Sequence, residues 1–341
     1  MIFRSKAPFR LGLAGGGTDV SPYSELYGGA VLNATISQFA HATIEPIAEK
    51  QIIFHSIDQK LEMKFPSGTL LEPIPGFNLQ CGIYNRLFKE NKIPDYGFKL
   101  TTSMDVPAGS GLGTSSTLVV AILKVYSEML NIPYGDYDLA HLAFDIERKD
   151  LNLAGGKQDQ YAATFGGFNF MEFYEDDNVI VNPLRIKTEY LHELENNLLL
   201  YFTLTNRESS DIIKEQQKNV INNNIDSIEA MHQLKEQSKR MKDALLQGKL
   251  GVIGEILDFG FHQKRKMASL ISNPYIDEIY DAARNAGAAG GKISGAGGGG
   301  FMFFYCPDNK RYAVMDTLQK YKGYFLNFQF TKHGVQSWRL N

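Results

Sequence analysis

The stretch Pro107–Thr117, PAGSGLGTSST, lies between a strand-like run at Phe98–Ser103 and an apolar, helix-length run at Thr114–Leu130. Gly109, Gly111 and Gly113 let the backbone adopt positive φ and approach a ligand closely, and the residues after them open a helix whose free N–H groups and dipole attract an anion. The arrangement is built like a phosphate cradle. It lacks the Lys of GxxxxGK[ST], so phosphate charge must be met by a metal ion and by cations from elsewhere. A tight turn with Thr114 or Ser115 as a simple helix cap satisfies the same residues.

Outward from this loop, Val-, Ile- and Thr-rich runs at 29–47, 51–56, 98–103 and 167–173 predict a mainly antiparallel sheet. Helices are predicted at 114–130 and 138–150; in the second, Leu139, Leu142, Ala143 and Ile146 form the apolar stripe and Glu147 falls beside it. From 208 to 285 the composition turns to Lys, Gln, Glu, Asn and Met at helical spacing, broken at 222–224, 248–251 and 273–274, which predicts three or four helices. A glycine-rich loop at 287–300, a strand at 301–305 and a last strand near 324–331 follow. The predicted class is α+β in two lobes, 1–185 and 186–341, because 341 residues exceed what one hydrophobic core ordinarily serves.

The chain is 43% hydrophobic and 21% charged, with 35 Lys plus Arg against 38 Asp plus Glu, a formal net charge of −3. Dispersed and balanced charge of this kind predicts neither nucleic acid nor an anionic membrane as partner. Cys81 and Cys306 sit among apolar or aromatic residues, as reduced packed thiols do, and no stretch approaches 18 consecutive apolar residues. A cytoplasmic protein is the expectation.

Three further segments carry chemistry. GKISGAGGGG at 291–300 matches GxGxxG at Gly295, Gly297 and Gly300, but the apolar run FMFFY follows where a helix should begin, so the dinucleotide reading fails. What remains is a loop that a ligand or another loop approaches closely, or a flexible hairpin. KAPFRLGLAGGGTD at 6–19 sets a cation, Arg10, and a carboxylate, Asp19, on either side of an exposed backbone; an ordinary ion pair and a helix cap are the bland alternatives. GGKQDQY at 155–161 places Asp159 behind a Gly-Gly turn, and Glu147, on the buried edge of its helix, needs a partner such as Mg²⁺ to offset desolvation. The seven histidines show no metal-ligand spacing.

In this order the four segments resemble the GHMP small-molecule kinases over nearly the whole chain, from Lys6 to Tyr305. PAGSGLGTSST is similar to that family's ATP loop, KISGAGGGGFMFF to its third motif, and GGKQDQY to the segment holding its catalytic Asp. The resemblance implies both glycine loops on one cleft, ATP as donor and Mg²⁺ as cofactor. It implies Asp159 and Arg10 as catalytic residues, and ATP contacts from Pro107, Gly109, Ser110, Gly111, Leu112, Gly113, Thr114, Ser115 and Ser116. Ser115 and Glu147 would hold the metal, and Gly16, Gly17, Thr18, Asp19, Gly297 and Gly298 the acceptor. Thr114 and Thr117 depart from the family's usual residues without removing a needed charge.

Galactokinases resemble AGGGTD but carry Glu-His where Gly16 and Gly17 stand, so two missing side chains open room for a longer or differently substituted sugar. The variant looks like that of D-glycero-D-manno-heptose 7-phosphate kinases and of the kinase domain of fucokinases, the former being nearer in length. The implied reaction is transfer of the γ-phosphoryl group to the C1 hydroxyl of the heptose 7-phosphate, with fucose or another free hexose as the alternative acceptor. By position, Arg207, Lys264, Arg265 and Lys292 are candidate cations for the sugar phosphate. The implied partner is a small sugar or sugar phosphate, and the implied state a monomer or homodimer. A non-catalytic sensor on the same fold would predict loss of Asp159, Glu147 or the phosphate loop, and all are present.

Overall fold

The computed structural model describes residues 1–93, 96–205 and 209–341. Its frame is a pair of long strands, β1 (Ile2–Ala14) and β2 (Gly29–Ile47), antiparallel to one another. β3 (Gln51–Ser56), β4 (Leu61–Pro66), β5 (Gly97–Met104), β6 (Phe168–Phe173) and β7 (Val179–Pro183) complete most of an eight-stranded sheet. β2 is long enough to pair on one side with β1 and on the other with β6 through its first half and β5 through its second. The predicted antiparallel character holds except between β3 and β5, which run parallel.

β8 (Leu198–Phe202), β9 (Gly290–Ile293), β10 (Phe301–Tyr305) and β11 (Tyr324–Phe325) form a second, four-stranded antiparallel sheet. Its central runs, LLLYF and FMFFY, are apolar at every position because both faces are covered. Leu198, Leu200, Phe202, Phe301 and Phe303 join the core of the first sheet, and Leu199, Tyr201, Met302 and Phe304 pack against the helical layer. Alternation of side chains along a strand thus feeds two cores from one sheet. Of the three or four helices expected between 208 and 285, four α-helices form among the described residues: Ser209–Ile221, Ile225–Gln247, Ile253–Arg265 and Pro274–Asn285. They break where Asn224 and Asn273 cap the next helix with their side chains.

Two expectations are corrected. The last strand does not run through 324–331; β11 is two residues long, and the chain then returns to the first sheet as β12 (Gln336–Leu340), paired antiparallel with Ile2–Lys6 of β1. β12 lies on the sheet edge with mostly exposed side chains, so it has no hydrophobic alternation to read. A division at residue 185 therefore follows the sheets only as far as β11. The helix expected at 138–150 is an α-helix over Asp136–Asp145 that widens into a π-turn over Ile146–Asp150. No helix among the described residues is long and apolar enough to cross a membrane.

Candidate active site

Arg10 owes its direction to strand alternation: Phe9 and Leu11 on either side of it turn into the core, so Arg10 faces the other way. Beside it the pairing slips, Pro8 opposite Phe39 but Arg10 opposite Thr35, so that three residues of β2 stand against one of β1 next to a residue with no N–H to give. The guanidinium is 4% exposed and meets Asp159, the second residue of the helix Gln158–Phe165, through Nε to Oδ1 at 2.6 Å and Nη2 to Oδ2 at 3.0 Å. Its third donor, Nη1, binds the Gly111 carbonyl at 2.7 Å. One cation thus ties the predicted catalytic carboxylate to the predicted phosphate loop.

That loop turns into the helix Thr114–Leu130 through Gly113, whose left-handed backbone (φ 78°) would strain any L side chain. A Cβ there would also lie 3.0 Å from the Asp159 carboxylate. The two glycine loops touch: Phe301 N–H donates to the Ser110 carbonyl at 2.9 Å, the Ser294 hydroxyl to the Gly111 carbonyl at 2.9 Å, and a Cβ on Gly295 would lie 2.7 Å from Gly111 Cα. Both loops therefore border one cleft of about 320 Å³.

The π-turn brings Glu147 to the mouth of the same helix. Leu151 N–H reaches back to the Ile146 carbonyl at 3.0 Å, and the widened turn leaves Glu147 1% exposed. Ser115 Oγ donates to Glu147 Oε1 at 3.0 Å and Gln160 Nε2 to Oε2 at 2.6 Å; the nearest cation, Arg148, stands at 3.7 Å.

On the opposite wall, Asp19 accepts from the backbone N–H groups of Lys157 and Gln158 at 3.0 and 3.1 Å through Oδ2, and from Gly17 N–H at 3.2 Å through Oδ1. Burial, and next the Asp159 carboxylate, push its pKa above the ordinary carboxylate value despite those donors. Lys264 enters from the helix Ile253–Arg265 and donates to the Gly295 carbonyl at 2.6 Å.

Two family models match the sequence, the GHMP kinases N-terminal domain over residues 78–167 and the GHMP kinases C-terminal domain over 241–322. A D-glycero-alpha-D-manno-heptose 7-phosphate kinase from Campylobacter jejuni is 47% identical over 337 residues, 99% of each chain. The chain is a GHMP kinase. The crystal structure of a D-glycero-D-manno-heptose 1-phosphate kinase from Bacteroides thetaiotaomicron superposes on this kinase with a TM-score of 0.84 and 43% identity over 99% of each chain. A bifunctional fucokinase/GDP-fucose pyrophosphorylase from Arabidopsis thaliana is 26% identical over 315 residues, 89% of this kinase but 30% of that protein.

Of the residues singled out in the sequence, Arg10, Gly17, Asp19, Gly109, Gly111, Gly113, Thr114, Ser115, Ser116, Glu147 and Asp159 line the kinase's cleft. Others stand behind it. Leu112 and Ser110 are fully buried, Thr18 binds the Gly15 and Ala30 carbonyls at 2.8 and 3.0 Å, and Pro107 is exposed outside the cleft. Gly297 and Gly298 are buried against the Ile271 backbone, and the lining of that loop comes from Gly295 and Ala296 instead. Among the candidate phosphate cations, Arg265 pairs with Asp277 at 2.6 Å, Lys292 is buried on the Gly12 carbonyl at 2.9 Å, and Arg207 lies outside the described residues; Lys264 lines the cleft. Gln158 and Gln216, also in the lining, escaped the sequence reading. Gln158 carried a signal, since it stands between the cleft-directed Gly-Gly turn and Asp159.

Proposed function

We propose that this kinase transfers the γ-phosphoryl group of ATP to the C1 hydroxyl of D-glycero-D-manno-heptose 7-phosphate and releases the 1,7-bisphosphate. The carrying observation is the Arg10–Asp159 pair, fixed on one side to the phosphate loop by the Gly111 carbonyl and open on the other to the AGGGTD segment. The identity to the heptose 7-phosphate kinase, over 99% of both chains, supports the acceptor.

Asp159 accepts the hydroxyl proton as the sugar oxygen bonds to the γ-phosphorus and the bond from that phosphorus to the ADP oxygen breaks. Each carboxylate oxygen bound by Arg10 keeps a second lone pair for this purpose. Arg10 orients the carboxylate and places positive charge beside the phosphoryl group in flight. Free N–H groups at the start of the helix Thr114–Leu130 face the phosphates. Asp19, held by three backbone donors, presents fixed acceptor capacity to sugar hydroxyls.

The donor set beside the phosphate loop suits Mg²⁺, which binds through one or two carboxylates and fills its remaining positions with phosphate oxygens and water. Glu147, a buried carboxylate 3.0 Å from the Ser115 hydroxyl with no cation closer than 3.7 Å, is such a donor set. Bound there, Mg²⁺ would neutralise phosphate charge.

The test is ADP release from Mg-ATP with D-glycero-D-manno-heptose 7-phosphate, L-fucose, D-galactose, D-mannose and mevalonate, with Asp159→Ala as the blank. Turnover with the heptose phosphate is expected. Turnover confined to a free hexose would overturn the acceptor, and none with any of the five would overturn the proposal.

A further inference from the structure

Lys264 is a lysine in a place where a lysine is costly. It occupies the inward stripe of its helix with Leu257, Gly260 and Phe261 and is 3% exposed, yet its ammonium borders the cleft. Among the described residues it has one hydrogen-bond acceptor, the Gly295 carbonyl, and no carboxylate within ion-pair distance. A carbonyl can be satisfied by a neutral donor such as an amide, so the bond to Gly295 explains a donor at this position and not a charge. Burying an uncompensated charge is unfavourable unless an opposite charge arrives.

The geometry shows where that charge would sit. Gly16 is buried just outside the cleft lining, and a Cβ added there would lie in van der Waals contact, at 3.9 Å, with two nitrogen donors, Lys264 Nζ and Gln158 Nε2. Next door at Gly17 the space is already filled, since a Cβ would collide with the Met267 methyl. Gln158 also has a buried Oε1 with no partner, so its amide is not locked by the protein. The carboxylates that act on Lys264, Asp19 and Asp159, lie beyond ion-pair distance, the first held by three backbone N–H groups and the second by Arg10, while two further cations, Arg10 and the buried Lys292, face the same point.

We propose that Lys264, with the Gln158 amide as second donor, anchors the phosphate already carried by the acceptor sugar, and that a bare Gly16 keeps both donors uncovered for it. This makes Lys264 the residue that selects a sugar phosphate over a free sugar. The proposal rests on the reading of the acceptor given above.

The experiment compares kcat/KM for D-glycero-D-manno-heptose 7-phosphate and for the same heptose without its phosphate, in the wild type, Lys264→Gln and Gly16→Glu. The wild type should prefer the phosphorylated acceptor. In Lys264→Gln that preference should fall about 10- to 100-fold, the worth of a hydrogen bond to a charged group, through KM of the phosphorylated acceptor. Gly16→Glu, which offers Lys264 a carboxylate of the protein's own, should lower the preference too, and it serves where the Gln variant does not fold.

Equal losses for both acceptors would overturn the proposal, because that is what a purely structural pin on Gly295 would give. A wild type indifferent to the phosphate would overturn it while leaving the kinase activity standing. A wild type inactive on both acceptors would overturn the reading of the acceptor, and is seen before any variant is made.

Discussion

Asp159→Asn separates the two things the Arg10–Asp159 pair does. Arg10 is 4% exposed and spends two of its donors on this carboxylate, whose own side chain is 21% exposed. Asparagine keeps one acceptor oxygen and turns an N–H₂ toward the second guanidinium donor, so one charge-assisted bond becomes neutral and the other becomes a donor facing a donor. Breaking a buried ion pair from one side costs about 3–5 kcal/mol, and the partial exposure of Asp159 puts this pair at the lower end, about 3 kcal/mol. Loss of the base costs turnover about 10²–10⁴-fold independently. Urea denaturation should therefore show a stability loss near 3 kcal/mol, and single-turnover kinetics a slowing of at least 10²-fold. Adding Arg10→Gln removes the stranded cation, so the double variant should recover part of the stability and none of the rate. Turnover within about threefold of the wild type would refute the role of Asp159, and a double variant that loses the sum of both single losses in stability would refute the pairing.

Glu147→Gln should raise the Mg²⁺ concentration for half-maximal activity by about 10-fold or more, the scale of one lost charge-assisted interaction, and a Mg²⁺ titration of ADP release that does not move would remove Glu147 from the metal site. Gly113→Ala sets a methyl 3.0 Å from the Asp159 carboxylate at a φ of 78°, so it should cost about 1–2 kcal/mol in stability and about 10²-fold in kcat; a kcat within threefold of the wild type would contradict the contact. Burial pushes Lys264 down from 10.5 to about 8, with Asp19 and Asp159 pulling upward and Arg10 downward. Between about 8 and 10.5 the folded chain then binds fewer protons at this site than the unfolded chain, so stability rises with pH there, by about 3 kcal/mol in all, and the cost stands in full below about 8. The stability difference between wild type and Lys264→Met should show this rise between pH 7.5 and 10, and a flat difference would sink it.

What the sequence disclosed divides along physical lines. β2 and the helix Thr114–Leu130 were legible to the residue because β2 is rich in Val, Ile and Thr and alternates in its second half, and the helix carries an apolar run, Leu118–Leu123, too long for one turn. β4 and the helix Asn78–Lys89 were passed over. The first is an exposed edge strand with no buried face, and the second has its apolar positions interrupted by buried Gln80 and Gly82, the latter packed against Leu151. Asp159, the proposed base, and its Arg lie 149 positions apart, and only motif resemblance could join them; pattern within either segment is silent on the pairing. Lys264 was one of several basic residues in HQKRK, and charge alone does not tell them apart. Its helical phase does: the stripe Leu257, Gly260, Phe261, Lys264 turns this cation inward and leaves Arg265 for Asp277. Room was expected at both Gly16 and Gly17; Gly17 lines the cleft but Met267, from a distant turn, fills its side-chain space, and Gly16 is buried against Lys264 and Gln158.

The pairing of Lys6 with Gln336 has a meaning in time as well as in space. The outer edge of the strand that aims Arg10 waits for a partner 330 positions further along the chain. At about 5–20 residues per second of synthesis, that edge stays bare on the ribosome for roughly 20 s to a minute. During this interval it is a template open to any neighbouring strand, and what guards it is charge: Arg4 and Lys6, set two apart among the residues that β12 will later cover. Their first service to the enzyme is as gatekeepers of a half-made sheet, before there is a cleft for a sugar to enter.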